Sequence, residues 1–521
     1  MLACMKLHRQ KMKCDVMAKG QPCSRCSNTG DQCHLFPSKR LHEKNIPYQI
    51  QTGKNEESHS ETANCELATS PEVPRTREIH DGNIPVTEGR HSVEETIVNP
   101  QRIPGRSSSD APIQNLAGSL QPNALKEVLR AYFQIIHPFY PVIARQWFCN
   151  KYLKNEVPPL LLNAVCFASC YHCPMSVIFQ MGYPSREKAK EVFYLEAKRL
   201  FDEDQEEDIV VVLQAVILLF FYGGKTRRVW NSRSWLVIAI TIAEEMGLHR
   251  VTSRIKMNEA DKYHLKIIWW RIVFRVFFTS LSYGRPPKTH DPNADTELLN
   301  MQDFDWDQDP DDPIFGRKDQ VNCHFLVEYA KLNRFMGKVI QVRYCAYYDI
   351  RQSTLDEFYD ELTEWRRNLP PCLDWTTNTT HNAAMYTCMG FHHMCMFIYR
   401  PRTTDPDFID KQRAVESASA ISTIVGKLGI GGTNHIPQDM LQIITVAVTI
   451  LLSDFAKSEV AKLQVQICLM ILNQAKENWD HAKWIVGFFE RLQLAQPDQT
   501  EFSLDTFDFL NLTMDQQTIN F

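Results

Sequence analysis

Apolar residues along this chain recur mostly at spacings of three and four. Leu125, Val128, Leu129, Tyr132, Phe133 and Ile136 form one such stripe, which Pro138 and Pro141 end. The longest apolar run, Ile209 to Tyr222, is interrupted by Gln214 and is too short to span a bilayer. Helical spacing returns in RSWLVIAITIAEEMGLHR, in KIIWWRIVFRVFFTSLSY and in FHHMCMFIY. Past Pro437, DMLQIITVAVTILLSDF and AKLQVQICLMILNQA predict one or two more helices. Strand alternation is scarce, so the expected fold class is mainly α.

Two stretches lack this pattern. From Pro37 to about Ala117 the chain is rich in Ser, Thr, Glu, Asn, His, Pro and Arg, and Tyr48 is its single aromatic residue. Such a segment buries too little apolar surface to offset the entropy of ordering, and reads as a disordered linker. It carries no apolar heptads, so a coiled-coil dimer through this region is not expected. Past Arg491, Phe502, Leu504, Phe507, Phe509, Leu510 and Leu512 interleave with Asp498, Glu501, Asp505, Asp508 and Asp515, without Lys or Arg. Acidic-hydrophobic alternation is the composition of a disordered activation segment that a coactivator groove takes up as a short helix. A docked terminal helix or a simple tail is the plainer alternative.

The chain has 521 residues with 44% hydrophobic and 11% aromatic content, enough for several domains and a substantial core. Its first residues are polar and basic, without the apolar region of a secretory signal. No HExxH, Gly-x-Ser-x-Gly or phosphate-loop motif occurs, which argues against an enzyme. LGIGGTN, with Gly429, Gly431 and Gly432, follows a helical pattern and reads as a helix stop. Trp269 and Trp270 read as packing residues, and His392 and His393 as satisfied core or surface histidines beside Cys395.

Charge and cysteine usage concentrate the chemistry at the N-terminus. Cys4, Cys14, Cys23, Cys26 and Cys33 lie in one short segment punctuated by glycine and proline. So small a window cannot bury enough apolar surface to fold alone, and a metal is the expected staple. The other 11 of the 16 cysteines are scattered, mostly within apolar helical patterns, as reduced core thiols would be. His8, Arg9, Lys11, Lys13, Lys19 and Arg25 surround the cluster, and Asp15 and Asp31 are the only acids up to Arg40. This segment is positive on a chain whose formal net charge is −5. A basic run suits phosphate neutralisation, and also a nuclear localisation signal.

The cysteine spacing resembles the fungal binuclear zinc cluster, C-x2-C-x6-C, a loop, then C-x2-C-x6-C. Five of six positions match, and Leu7 stands where the second cysteine would be. The resemblance implies two zinc ions, with Cys4 and Cys23 bridging. One ion keeps Cys4, Cys23, Cys26 and Cys33; the other keeps Cys4, Cys14 and Cys23, leaving a fourth position to the His8 nitrogen or to water. The resemblance places Lys11 and Lys13 on a helix entering the major groove, contacting CGG-type triplets of double-stranded DNA. YFQIIHPFYPVI, DIVVVLQAVILLFFYGG with Gln214, the Trp235 to Arg250 helix, the Trp269–Trp270 helix with its Gly284-Arg285-Pro286 turn, and FHHMCMFIYRPR closing on Arg400 and Pro401 together resemble the fungal transcription-factor regulatory domain. GRPPKTHDPNADTELLNMQDFD is similar to the cutinase- and fatty-acid-responsive activators, and regulators of secondary-metabolite and toxin gene clusters share the architecture.

The expected organisation is a zinc-stapled DNA-binding module over residues 1–40 and a linker over 41–117. A helical regulatory domain follows over 118–405, further helices over 406–495 and an acidic tail over 496–521. The implied protein is a nuclear activator of RNA polymerase II genes, working with coactivators and a small-molecule inducer held among the helices, and not associated with a membrane. A co-regulator acting through protein partners, its cluster impaired by Leu7, is the alternative.

Overall fold

The computed structural model describes residues 24–29, 116–223, 229–251, 257–283, 287, 294–343, 352–399, 411–430, 436–453, 455 and 458–495. Every regular element among them is helical, as the periodicity predicts. The chain divides into two units, Met1–Pro104 and Gly105–Phe521. The first contributes one short described helix, α1 (Ser24–Thr29).

The helical body of the second unit starts slightly earlier than the expected boundary at 118. Ala117, in a 3-10 turn over Ala117–Ser119, is wholly buried in the hydrophobic core, so the body already includes it. Helix α2 (Pro122–Ala131) has proline in its first turn, where no amide donor is required. It runs into a π turn over Tyr132–Ile136, closed by the His137 amide donating to the Tyr132 carbonyl at 2.9 Å. Pro138 then prevents continuation.

Helices α3 (Arg145–Leu153), α4 (Pro159–Ser169), α5 (Met175–Gln180), α6 (Arg186–Asp202) and α7 (Ile209–Leu219) follow. Helix α4 packs against both α6 and α7, and every residue from Leu160 to Ser169 is buried. The apolar run from Ile209 forms α7, started by Asp208, whose carboxylate accepts from the Val210 and Val211 amides at 2.9 and 3.4 Å. Helix α8 (Ser232–Glu245) is capped by Asn231 and stops at Gly247, whose φ of 75° admits the left-handed conformation. There the Leu248 amide returns to Ala243 O and the Gly247 amide to Glu244 O, both at 2.9 Å.

The second half is built on α9 (Glu259–Tyr283), which packs on α8, on α10 (Gln320–Arg343) and on a later helix, α14. Helices α11 (Gln352–Arg367) and α12 (Asn382–Tyr399) follow, then α13 (Lys411–Ile430), α14 (Gln438–Leu452), α15 (Glu459–Ala475) and α16 (Asp480–Ala495). Helix α12 is enclosed almost all round, by α10, α11, α13 and α14. Helix α13 ends at Ile430 and includes Gly429, while Gly431 and Gly432 lie outside the described residues. Where the sequence predicts one or two helices past Pro437, there are three. The third, α16, follows from Trp484, Ile485, Phe488 and Phe489 at helical spacing, with Asp480 in its first turn.

The end of the body returns to its beginning. Trp479, just before α16, stacks on Tyr171 after α4, with ring centroids 4.4 Å apart. Lys190 on α6 reaches Asp480 at 2.8 Å, and Glu187 pairs with Lys483. The helices beyond residue 411 therefore share the hydrophobic core of those before it. No described helix is long and apolar enough to cross a membrane.

Candidate metal centre and the charged interior of the helical body

Of the five candidate metal-ligating cysteines, Cys26 lies among the described residues. Cys4, Cys14, Cys23 and Cys33 lie outside them, as do Leu7, His8, Arg9, Lys11, Lys13 and Lys19. Cys26 sits within α1, SRCSNT, a helix without an apolar side chain apart from the thiol itself. It is nevertheless 1% exposed, while Ser27, Asn28 and Thr29 around it are exposed. A buried thiol on an otherwise polar helix suits a metal-stapled module, and a set of thiolates is the donor chemistry zinc prefers. The donor set therefore fits zinc. The activation-tail residues Phe502, Leu504, Phe507, Phe509 and Leu510 lie outside the described residues, as do Gly284, Arg285, Pro286, Arg400 and Pro401.

In the helical body Trp269 and Trp270 are core residues, 2% and 5% exposed, and Trp270 donates its indole N–H to Glu297 O at 2.8 Å. His392 and His393 are not satisfied as the sequence suggests. Both lie in α12, and His392 Nδ1 and His393 Nε2 are enclosed without a hydrogen-bond partner. Burial holds both rings neutral, with pKa values lowered to about 4 and about 3. Their surroundings are apolar: His393 packs at 5.3 Å from the ring of Phe278 and 4.8 Å from that of Phe397. Gln214 is buried in α7 with its Oε1 likewise unpartnered.

Sequence reasoning misses a series of buried ion pairs. Arg145 binds Asp307 through both its backbone amide, at 2.9 Å, and its guanidinium, and donates from Nε to Phe315 O at 3.1 Å. His137, fully buried beside them, is joined to Ile143 O at 2.7 Å; burial and the Arg145 charge hold it neutral, so its Nε2–H is the donor. Burial pushes the Asp307 carboxyl upward, against the opposing pull of Arg145. Lys266 pairs with Asp303 at 2.9 Å. At the junction of α9 and α14, Arg275 binds Asp439 through Nη1 and Gln438 Oε1 at 2.8 Å through Nη2, while Tyr140 donates to the other Asp439 oxygen. The one sequence signal for this centre is Arg271 and Arg275, four residues apart in the otherwise apolar IIWWRIVFRVFF.

Two clefts border these groups. One, about 280 Å3 counting its open mouth, is lined by His137, Arg145, Asp307, Lys318 and Asn322 among others. The other, about 260 Å3 on the same basis, is lined by Phe139, Tyr140, Phe221, Gln438 and Trp479 among others. The space actually enclosed is about 20 and 10 Å3, room for about one water each and far below the roughly 300–1,000 Å3 of pockets that enclose organic ligands.

Comparison with known families assigns the two units. Residues 2–42 match the fungal Zn(2)-Cys(6) binuclear cluster domain, and residues 129–367 match the fungal specific transcription factor domain. Both domains of the fungal binuclear zinc cluster transcription factors are thus matched, over those residues. The binuclear cluster domain is a DNA-binding module that binds two zinc ions. Relatives in this family include the cutinase transcription factor 1 alpha of Fusarium vanettenii, 25% identical over 82% of this chain and 56% of the relative. The acetamidase regulatory protein of Aspergillus fumigatus is 22% identical over 76% of this chain and 52% of its own length. The fusaric acid cluster transcription factor FUB12 of Fusarium oxysporum f. sp. lycopersici is 23% identical over 68% of this chain and 56% of its own length. These relatives are regulatory proteins and not enzymes. The chain thus spans little more than half the length of the curated relatives it matches.

Proposed function

We propose that this protein is a nuclear, sequence-specific activator of a set of fungal pathway genes transcribed by RNA polymerase II. The observation that carries this reading is the cysteine set at binuclear-cluster spacing, within the matched residues 2–42 and with Cys26 enclosed in a polar helix. Cys4, Cys14, Cys23, Cys26 and Cys33 would hold the zinc ions, with His8 or water completing the site that Leu7 leaves short. Lys11 and Lys13 read base edges of CGG-type triplets, and Arg9 and Lys19 neutralise phosphates, joined by His8 where water completes the zinc site. The helical body regulates the module in response to a small molecule, and Phe502, Leu504, Phe507, Phe509 and Leu510 in the acidic tail engage coactivators.

The names of the relatives support regulation of catabolic or secondary-metabolite genes, including lipid or cutin breakdown and toxin clusters. Deleting residues 496–521 tests the division of labour in a fungal reporter strain. Transcription from a promoter bearing CGG triplets falls severalfold while promoter occupancy holds. Full reporter output without the tail contradicts the assignment. Leu7 favours one second reading, a co-regulator that works through protein partners without reading DNA, and direct duplex binding separates the two.

A further inference from the structure

Helix α15 buries Val465, Cys468, Leu472 and their neighbours against α13, α14 and α16. A helix packed on one side in this way normally turns polar residues outward. This one does not. Val460, Leu463 and Met470 are 64%, 58% and 53% exposed, and half-buried Ile467 lies between them. No other described helix carries more than two exposed large apolar side chains. Ile430, 88% exposed at the end of α13, extends the same surface, because Gly429 beside it abuts Ile471.

The outward residues stand at i, i+3, i+7 and i+10, the spacing of a two-helix seam, with β-branched Val460 and Ile467 alternating with Leu463 and Met470. The stripe is also symmetric about position 465. Laid antiparallel on an identical helix, it puts Val460 against the partner's Met470 and Leu463 against the partner's Ile467. That arrangement opposes the two helix dipoles, which attract. Charge does not resist the pairing. Glu459 and Lys462 are the only charged residues of α15, both lie in its first turn, and they pair with each other at 2.7 Å. In the antiparallel register the two copies of this pair fall at opposite ends of the seam.

We propose that α15 is a self-association surface, on which a second copy of this chain docks its own α15 antiparallel about a two-fold axis beside Val465. A two-fold interface requires a single patch that is complementary to itself, and the symmetric, uncharged stripe meets that requirement. The seam is one helix wide and about 15 Å long from Val460 to Met470, so it buries less than the roughly 1,200 Å2 at which standard interfaces begin. The pair is therefore transient, with micromolar affinity, and fills when two copies are held close together. It lies wholly in the helical body, so its failure leaves the DNA-binding reading standing.

Sedimentation of the full chain across the micromolar range tests this, with Leu463→Asp, and with Val460→Glu and Met470→Lys singly and together. Wild type is expected to pass from monomer towards dimer as concentration rises. Leu463→Asp associates at least ~10-fold more weakly, because each seam would bury two unpaired carboxylates. Each single change at Val460 or Met470 also weakens the pair. The double variant recovers association, since the antiparallel register sets the new carboxylate against the new ammonium at both ends, whereas a parallel one sets like against like. Leu463→Asp keeps the wild-type melting temperature when dilute, the side chain being exposed in the single chain. A wild-type chain that stays monomeric, undiminished association of Leu463→Asp, or a double variant no stronger than the singles overturns the proposal. So does failure of Leu463→Asp to fold, which makes Leu463 part of the single chain's own packing.

Discussion

Tyr140 and Asp439 stand 299 positions apart in the chain and share a buried hydrogen bond at the centre of the helical body. Tyr140 belongs to the proline-bounded segment between α2 and α3, and Asp439 lies in the first turn of α14. Arg275 of α9 binds the same carboxylate, so three distant parts of the sequence meet on one side chain.

Asp439→Asn removes that charge while keeping the shape, taking a charged partner from the buried Arg275. Breaking one partner of a buried pair costs about 3–5 kcal/mol. Urea unfolding should show a loss of that size, and the double replacement Asp439→Leu with Arg275→Met should recover most of it. A loss under about 1 kcal/mol in the single variant contradicts the assigned role.

The pattern of three and four reveals the helices because packing an apolar stripe is the dominant local constraint. It places Trp269 and Trp270 in the core correctly, and Pro138 at the end of the first helical stretch. Buried ion pairs escape the same logic. Arg145 and Asp307 look like any surface charges in sequence, and only the tertiary contact distinguishes them. The unpartnered nitrogens of His392 and His393 are equally invisible, since nothing local states whether a histidine in an apolar helix finds an acceptor. The zinc module is legible for the opposite reason: coordination fixes cysteine spacing directly in the sequence.

His137 and His393 are both fully buried and held neutral, the first well below its ordinary value and the second at about 3. In the unfolded chain each titrates near 6.5. The unfolded state therefore gains protons below about pH 6.5 that the folded state refuses, and stability falls as the medium becomes more acid. Each histidine contributes a loss of about 1.4 kcal/mol per pH unit below that point. Above pH 6.5 both contributions are fully present. Unfolding free energies between pH 5 and 7 test this, and His393→Phe should flatten the slope by about one proton.

Gly390 of α12 faces α10 closely: a methyl group there would lie 2.9 Å from the Tyr329 hydroxyl and 3.0 Å from Leu332 Cδ2. Tyr329 cannot easily yield, because its hydroxyl donates to Tyr386 O at 3.1 Å. Gly390→Ala should destabilise by about 1–3 kcal/mol. Gly429→Ala meets only the far end of the buried Ile471 side chain, which must swing aside, and the gain in helix propensity of up to about 1 kcal/mol offsets part of the crowding. Thermal melts of the two variants should separate clearly, with Gly390→Ala the lower.

Zinc content of the full chain, by elemental analysis, is expected to be two ions. Cys26→Ser should lower it, since that thiol would be lost from the enclosed centre. Leu7→Cys should tighten retention against a chelator without raising the count. Fewer than two ions in the native protein, rising to two only with Leu7→Cys, would mean the cluster is damaged as it stands.

The central claim is that the cysteine-rich head reads DNA, and duplex binding tests it most directly. The zinc-loaded full chain is titrated with a duplex carrying CGG triplets and with one of scrambled sequence, across a range of salt. The account predicts tighter binding to the CGG duplex, with log affinity falling linearly against log salt by about 0.9 per phosphate neutralised. Lys11→Ala with Lys13→Ala removes the preference, and Lys19→Ala weakens both duplexes alike. Equal and salt-insensitive affinity for the two duplexes, or no binding to either, contradicts direct reading and leaves a regulator that acts through its protein partners.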